Sequence, residues 1–438
     1  SAAAGNVISG NGLDGIIIDA TATAATIEHN FIGTRADGLA AIANGEFGVR
    51  IDGADNVVRN NLISGNASAG VWITGANAVG NLVAGNGIGI DATGSAALGN
   101  GVIGVIVIDG ASQTVIGGTT DADRNVISGN GNSGIQLMDT TDTLVIGNFI
   151  GTDASGMTAL GNQFGIVVFL AGSGNQIGGA TAGAGNVIAG NQQRGVFIIE
   201  TSNRVTVQGN LISVGTDGST VLGGGDTLIE INQSSGALIG TDADGVDDAA
   251  EGNVIATSDS LGFPATGILL NDTYGTVVAG NRIGDASVPA SPTGLAHGVL
   301  LNGGSANNRI GGPLAVESNL FIGASSGGVV LQADAGNGNA ILGNRFVDGL
   351  GLAIDLGDDG PTANDTLDAD TGPNDLQNAP TLLGAVADGP GSYVHGVLSA
   401  APNQHYRIEF FASASGDPGS AERFLGSMNL TTGADGIM

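Results

Sequence analysis

Hydrophobic residues along the chain occur in short aliphatic runs separated by glycine and asparagine. One kind of run lies between asparagines: NVISGN stands at residues 6–11 and again at 125–130. Near copies stand at 61–66, 81–86 and 186–191. A second kind opens with glycine, as in GVWI at 70–73 and GVFI at 195–198. Runs of three to five residues rich in β-branched side chains are too short for helices, so the pattern predicts short β-strands.

The asparagines that head the first kind of run recur along most of the chain. We align them as Asn6, Asn30, Asn61, Asn81, Asn125, Asn148, Asn186, Asn210, Asn253, Asn281, Asn319 and Asn344. Asparagine and glycine tolerate the left-handed backbone that a corner requires, and stacked asparagine amides can bond to one another. Strands that pair one coil apart, at about 4.8 Å, would give roughly a dozen coils and a rod on the order of 55–60 Å long.

The sequence therefore predicts an all-β fold with two parts. Residues 1–378 form a right-handed single-stranded parallel β-helix of about 12 coils, within which 355–378 is a loop that closes the last coil. Residues 379–438 change to longer alternating runs and predict a β-sandwich-like segment. It is shorter than the ~100 residues of an immunoglobulin domain, so we expect a partial sandwich or a piece that caps the rod.

The motifs resemble a known group of proteins. The succession of N-[VL]-I-x-G-N, G-[IV]-x-[IV] and GN-x-IGTD-x-x-G-x-x-x-LGN is similar to right-handed parallel β-helix repeat proteins of bacterial cell surfaces, and GNFIGTDASGMTALGN at 147–162 matches best. The C-terminal part resembles a partial bacterial immunoglobulin-like domain. The resemblance is specific for fold and implies an extracellular protein. It leaves function open, because the group includes polysaccharide lyases, hydrolases and epimerases as well as inert adhesin stalks.

Charge narrows the classes of partner. The 438 residues hold 41 acidic residues against 11 basic ones, all arginine, for a net charge of −30. Nucleic-acid binding needs a basic face, so we exclude it. The absence of cysteine rules out disulfides, and the longest apolar run, 102–108, is too short to span a bilayer. Ser1 begins in mid-pattern, so we expect a piece of a larger extracellular or cell-surface protein.

Two acidic stretches are candidate Ca²⁺ sites, because hard oxygen ligands spaced closely around a glycine turn suit that ion. DADGVDD at 242–248 supplies Asp242, Asp244, Asp247 and Asp248. DADTGPND at 368–375 supplies Asp368, Asp370 and Asp375. The alternative is that both are solvated acidic loops. No other cofactor is expected.

The Gly-led runs also predict a lateral contact surface. Their first and third aliphatic residues face the core, so the second faces outward. The apolar members proposed for binding are Trp72, Ile106, Val167, Phe197, Leu269 and Leu300. The same row is expected to end at Ala353 and to contain Leu228 between Phe197 and Leu269. A long exposed apolar stripe on an acidic chain indicates self-association or contact with a protein partner, unless other segments cover it.

We interpret the protein as a structural or adhesive rod or binding scaffold, and assign no catalytic residue. The alternative is a carbohydrate-active enzyme, a lyase, hydrolase or epimerase, with a polysaccharide groove along one face. The acid pairs Asp247–Asp248 and Asp358–Asp359 could divide acid and base work, although they lie in loops suited to solvation or cations. The histidines at 29, 297, 395 and 405 show no zinc spacing. Tyr274 is the first residue to test for an enzyme.

Overall fold

The computed structural model describes residues 5–256, 264–284, 294–388, 391–413 and 420–438, with backbone alone at 387–388 and 391–392. It is a parallel β-helix, as the sequence predicts. Each coil contributes one strand to each of three parallel sheets, which hold 12, 12 and 11 strands in the part of the chain described. Neighbours within a sheet are three strands apart in the sequence, because every strand pairs with its equivalent in the next coil.

Sheet 1 is built mostly from the runs between asparagines, although the run at 82–84 belongs to sheet 3. Its strands are β1 (Val7–Ile8), β4 (Phe31–Ile32), β7 (Leu62–Ile63), β10 (Gly87–Ile88), β13 (Val126–Ile127), β16 (Phe149–Ile150), β19 (Val187–Ile188), β22 (Leu211–Ile212), β25 (Val254–Ile255), β28 (Arg282–Ile283), β31 (Leu320–Ile322) and β34 (Arg345–Val347). Most have only two residues because a corner follows at once. In most of them the second residue, such as Ile63 or Ile150, is fully buried.

Sheet 2 contains the Gly-led runs and the longest strands of the rod. They are β2 (Ile16–Ile18), β5 (Val49–Ile51), β8 (Ala69–Thr74), β11 (Ile103–Ile108), β14 (Ser133–Met138), β17 (Phe164–Phe169), β20 (Arg194–Ile199), β23 (Thr227–Ser235), β26 (Ala265–Tyr274), β29 (Leu295–Asn302), β32 (Gly327–Gln332) and β35 (Leu352–Gly357). Core-facing pairs such as Val71 and Ile73 are fully buried, because strand alternation directs them into the rod.

Sheet 3 closes each coil. Its strands are β3 (Thr26–Glu28), β6 (Val57–Arg59), β9 (Leu82–Ala84), β12 (Val115–Gly117), β15 (Leu144–Ile146), β18 (Gln176–Gly178), β21 (Thr206–Gln208), β24 (Leu238–Gly240), β27 (Val277–Ala279), β30 (Arg309–Gly311) and β33 (Ala340–Leu342). Helical structure is confined to α1 (Asp248–Glu251) and the 3₁₀ turns Ala315–Glu317 and Pro373–Leu376 within the described ranges. No helix there has the length and apolar character needed to cross a bilayer.

Asparagines, most of them buried, form ladders at the corners. The ladder before sheet 1 consists of Asn6, Asn30, Asn61, Asn86, Asn125, Asn148, Asn186, Asn210, Asn253, Asn281, Asn319 and Asn344. At each step, the backbone N–H and the amide Nδ2 of one asparagine both donate to Oδ1 of the next, as from Asn61 to Asn86 at 2.9 and 3.1 Å. The repeated asparagine therefore satisfies the polar groups of a buried corner.

The predicted alignment of this ladder is wrong at one position. Asn81 does not stand between Asn61 and Asn125; Asn86 does. Asn81 belongs to a different corner, before sheet 3, where it accepts hydrogen bonds from the backbone and side chain of Asn56 at 2.9 and 3.1 Å. The NLVAGN run begins with one corner asparagine and ends with another, so the motif alone does not say which corner each residue occupies.

The C-terminal segment forms two separate antiparallel hairpins. They pair β36 (Thr381–Asp388) with β37 (Gly391–Val397) and β38 (His405–Ala412) with β39 (Arg423–Thr431). The second hairpin contacts the end of the rod: Phe346, in the last strand of sheet 1, exchanges backbone hydrogen bonds of 3.0 and 3.1 Å with Ala421. That contact pairs part of an otherwise open sheet edge. Membership of an immunoglobulin-like class, and the boundary at 378, stay predictions.

Candidate functional site

One row of side chains follows the outer face of sheet 2 from end to end. Strand register places in it Ile17, Arg50, Trp72, Ile106, Gln136, Val167, Phe197, Glu230, Leu269, Leu300, Val330 and Asp355. We call this set the outer row. All six apolar residues proposed for binding from the sequence belong to it, so the predicted stripe exists as one continuous register.

Two expected members of the outer row are wrong. Leu228 is fully buried, and its place is taken by Glu230, which pairs with Phe197 and Leu269. Ala353 is displaced because Ile354 pairs with Val329, which leaves Asp355 opposite Val330. In both strands, the position of the preceding glycine does not predict where strand pairing begins. The residues that sequence reasoning missed, Glu230 and Asp355, are both carboxylates.

The outer row is less exposed than the sequence predicts. Trp72, Val167, Phe197 and Leu269 are half-buried, whereas Ile106 is only 3% exposed. The last proposed binding residue, Leu300, is 9% exposed. Side chains one coil apart lie close enough to cover one another. The surface is thus a tightly packed apolar ribbon rather than a set of protruding side chains.

Aromatic side chains strengthen this ribbon in its first half. Phe47 stacks on Trp72 with ring centroids 4.4 Å apart. Phe164 stacks on Phe197 at 6.2 Å. The Arg194 guanidinium lies over the Phe197 ring, 5.5 Å from its centroid. Such contacts each stabilise by about 0.5–1.5 kcal/mol beyond area burial and hold the side chains in fixed positions.

The second half of the same face carries ionisable groups. Glu230 is 4% exposed; it pairs with Arg194 and accepts a hydrogen bond of 3.2 Å from Asn232 Nδ2. Asp355 is 6% exposed, and its burial raises the pKa of the carboxyl, with Asp358 adding to the rise. Burial has the opposite effect on the base His297, whose pKa it lowers. Both shifts favour the neutral form of the group.

The first acidic loop brings together three of its four predicted ligands. One carboxylate oxygen each from Asp242, Asp244 and Asp248 lie within 4.8 Å of one another. Asp247 is the exception: it takes a left-handed conformation, φ 56°, before α1 and is not part of the group. Backbone N–H groups of the loop donate to these carboxylates, as from Val246 to Asp244 at 2.7 Å. The loop can therefore hold its shape with or without a cation.

The second acidic group differs from the prediction in two members. Asp365, Asp368 and Asp370 lie within 4.8 Å of one another, whereas Asp375 accepts a hydrogen bond of 2.6 Å from Asn337 elsewhere. Burial raises the pKa of Asp368, and neighbouring Asp370 contributes to that rise. One oxygen of Asp370 is buried and has no hydrogen-bond partner in the described structure. The spacing D-x-x-D-x-D at 365–370 was the signal for the missed ligand.

The remaining candidates are dispersed. His29 is exposed at a bend after β3 rather than on a strand, and His395 and His405 lie in the C-terminal hairpins. The pair Asp358–Asp359 adjoins Asp355, and Asp358 accepts a hydrogen bond of 3.0 Å from Gln332. Tyr274 ends β26 with 61% of its surface exposed and belongs to neither acidic group.

Comparisons with known proteins identify no family for this chain. No protein-family model and no curated protein matches the sequence. Among solved structures, a mannuronan C-5 epimerase A-module from Azotobacter vinelandii is 13% identical, covering 78% of this chain and 80% of that one, with a TM-score of 0.28. PfbA, a surface adhesin of Streptococcus pneumoniae, is 10% identical, covering 89% and 84%, with a TM-score of 0.23. Similarities this low carry no conclusion about activity.

Proposed function

We propose that the protein is an extracellular structural rod that associates laterally with a second copy through the outer face of sheet 2. The observation that carries this proposal is the outer row, a largely apolar ribbon that keeps register across the coils of the β-helix. Its apolar members repeat at the coil spacing of about 4.8 Å, so two rods side by side can match along their length. Ile106 and Leu300 are already buried within the rod, so the half-buried Trp72, Val167, Phe197 and Leu269 supply the apolar area that such a contact can still bury.

Rigidity supports the structural role. The rod is held by three parallel sheets and by ladders in which buried asparagines bond from coil to coil. A buried polar ladder of this kind fixes each corner, because any departure leaves amides without partners in the interior. These contacts can therefore keep the rod stiff along its length without a cofactor.

Charge sets the conditions under which association occurs. A net charge of −30 makes two copies repel, whereas the apolar part of the outer row contributes little charge. Salt shortens the range of that repulsion to about 10 Å at 0.1 M. We therefore expect association to strengthen as ionic strength rises, which is the opposite of what an interface held by ion pairs would show.

Sedimentation at low and high salt tests the proposal. Leu269→Asp places a charge in the outer row and is expected to leave the rod monomeric at all salt concentrations. Leu39→Asp is the matched control, since Leu39 is 54% exposed and lies outside the outer row. A wild-type protein that stays monomeric at high salt, or equal association by both variants, contradicts the proposed face.

We also propose that Ca²⁺ binds Asp365, Asp368 and Asp370 and stabilises the closing loop of the rod. Three carboxylate oxygens within 4.8 Å and one buried, unpartnered oxygen support this assignment. Three neighbouring carboxylates repel one another, and a bound divalent cation replaces that repulsion with attraction between each carboxylate and the ion. The ion would supply no chemistry in this role; it would hold the loop against the last coil.

The second candidate function is a carbohydrate-active enzyme, and one observation favours it. Asp355 and His297 both belong to sheet 2, and burial drives each toward its neutral form. A neutral carboxylic acid and a neutral imidazole are the forms needed to donate and accept a proton near neutral pH. Assay against a polysaccharide panel, with and without Ca²⁺, tests this candidate. Bond cleavage that Asp355→Asn abolishes would establish it over the passive rod.

A further inference from the structure

A groove opens at the corner between sheets 2 and 3, away from the outer row. It forms because β23 and β26 are longer than the six-residue β20 and continue in register around the corner, with Ser235 opposite Tyr274. In the following coil the chain turns away at Gly303 and Gly304, both with positive φ. The resulting cavity has a volume of about 470 Å³. That volume falls within the roughly 300–1,000 Å³ of small-molecule sites.

Three consecutive coils direct polar side chains into this groove. Glu200, Gln233 and Asp272 line it, and all three have left-handed backbone, with φ of 52°, 47° and 52°. The left-handed corner points each side chain outward, and all three are exposed. Tyr274 forms the neighbouring wall and is 61% exposed. The corner therefore presents a short column of polar groups beside one aromatic ring.

These side chains are free to bind. Within the described residues, Glu200, Gln233, Asp272 and Tyr274 make no side-chain hydrogen bond and no ion pair. That contrasts with the first acidic loop, where the carboxylates are already engaged by backbone N–H groups. The two carboxylates, the amide and the phenol together offer several hydrogen-bond acceptors and donors that no described residue of the protein already uses.

We propose that this groove binds an oligosaccharide that carries no acidic groups. A tyrosine ring offers an apolar face for the C–H face of a sugar, and its hydroxyl remains available for bonding. Carboxylates and amides are suited to sugar hydroxyls, and charge-assisted bonds of this type are the stronger ones. Among the described residues that line the groove none is basic, and the two carboxylates repel a uronate. An amino sugar would gain further from the same charges.

This inference rests on the proposed surface role, since a rod outside the cell meets glycans. The two sites are nevertheless separate. The outer row lies on the face of sheet 2, and the groove lies at the corner where that sheet ends. Loss of one activity by substitution should therefore leave the other intact, which makes the two proposals separately testable.

Calorimetric titration of the full chain tests the groove with three probes: cellotriose, the glucosamine trimer and the galacturonate trimer. We expect one or both of the first two to bind and the galacturonate trimer not to bind. Tyr274→Ala should weaken binding by at least about tenfold, as truncation of a contacting aromatic residue commonly does. Tyr274→Phe should keep most of the affinity because it retains the ring.

The carboxylate contribution has a matched control. Asp272→Asn should weaken the glucosamine trimer by about tenfold and cellotriose by less, because cellotriose loses only charge assistance to a hydrogen bond, whereas the cationic sugar also loses attraction between opposite charges. Asp139 occupies the equivalent corner of an earlier coil, with φ 49°, is exposed and lies outside the groove, so Asp139→Asn should change neither affinity.

Three outcomes overturn the inference: no binding of either non-acidic probe, equal binding of the galacturonate trimer, or unchanged affinity in Tyr274→Ala. Tyr274 is exposed, so its truncation is compatible with folding, and circular dichroism of the variant checks this. Leu269→Asp serves as the link to the proposed function. If this variant no longer associates laterally but still binds a non-acidic trimer, association and sugar binding use separate surfaces, so either proposal can fail without the other.

Discussion

Removing one rung from the asparagine ladder before sheet 1 measures how much the ladder stabilises the rod. The perturbation is Asn148→Ala at a fully buried corner. The Asn148 Oδ1 accepts from the backbone N–H of Asn125 at 3.4 Å and from its Nδ2 at 2.9 Å. Asn148 Nδ2 donates to the carbonyls of Ile116 and Ile146 at 2.8 and 3.0 Å and to Asn186 Oδ1 at 3.0 Å.

The magnitude follows from what the substitution leaves behind. Five hydrogen bonds disappear, and the groups that lose them stay buried among neighbouring coils. Each lost bond contributes about 1 kcal/mol, and buried groups left without a partner cost about 1–3 kcal/mol each. The two hydrogens of Nδ2 are shared among three acceptors, and Asn186 Oδ1 and the Ile146 carbonyl each keep another donor, so we expect the free energy of unfolding to fall by roughly 3–5 kcal/mol.

Urea unfolding followed by circular dichroism gives the global change, and native-state hydrogen exchange gives its location. Repeat proteins depend on nearest-neighbour contacts, so lost protection should concentrate in β15, β16 and the coils beside them. Asn77→Ala is the matched control because Asn77 is exposed, and a surface change of this kind is usually within about 0.5 kcal/mol. If Asn148→Ala unfolds with the same midpoint as Asn77→Ala, the ladder does not stabilise the fold as argued.

Three further predictions concern pH, metal and the end of the rod. Burial raises the folded-state pKa of Asp355, so folding favours the protonated carboxyl. The stability that this group contributes is fully present below the unfolded pKa of about 3.9 and is lost as pH rises through the folded pKa. Asp355→Asn should therefore raise the melting temperature at pH 7 and leave it unchanged at pH 3, and a destabilised variant at pH 7 would contradict this. Ca²⁺ at 100 times its dissociation constant should stabilise the fold by about 2.7 kcal/mol, seen as a higher melting temperature that Asp368→Asn removes. Ala421→Pro deletes the N–H that bonds Phe346 at 3.0 Å, and should expose the sheet 1 edge and increase aggregation measured by light scattering, whereas Ala421→Ser should not.

The sequence by itself determined the secondary structure and the parallel β-helix. Those features depend on local chemistry repeated many times: short β-branched runs, corner residues that accept left-handed backbone, and alternation that buries Val71 and Ile73. It also located both acidic loops and the apolar stripe, because these follow from composition and period. Each of these features can be recognised from a short stretch of sequence, because it depends on residues that are close together in the chain.

Only the tertiary structure decided which residues meet across coils. Successive rungs of the asparagine ladder before sheet 1 are separated by as few as 23 residues, from Asn125 to Asn148, and by as many as 43, from Asn210 to Asn253. Insertions of unequal length sit between corners, so counting cannot tell Asn81 from Asn86 or place Glu230 in the outer row. The same is true of the Tyr274 groove, since it depends on how far two strands extend past a corner before the next coil turns away. Register between coils is a long-range property, and hydrogen bonding and core packing in three dimensions fix it.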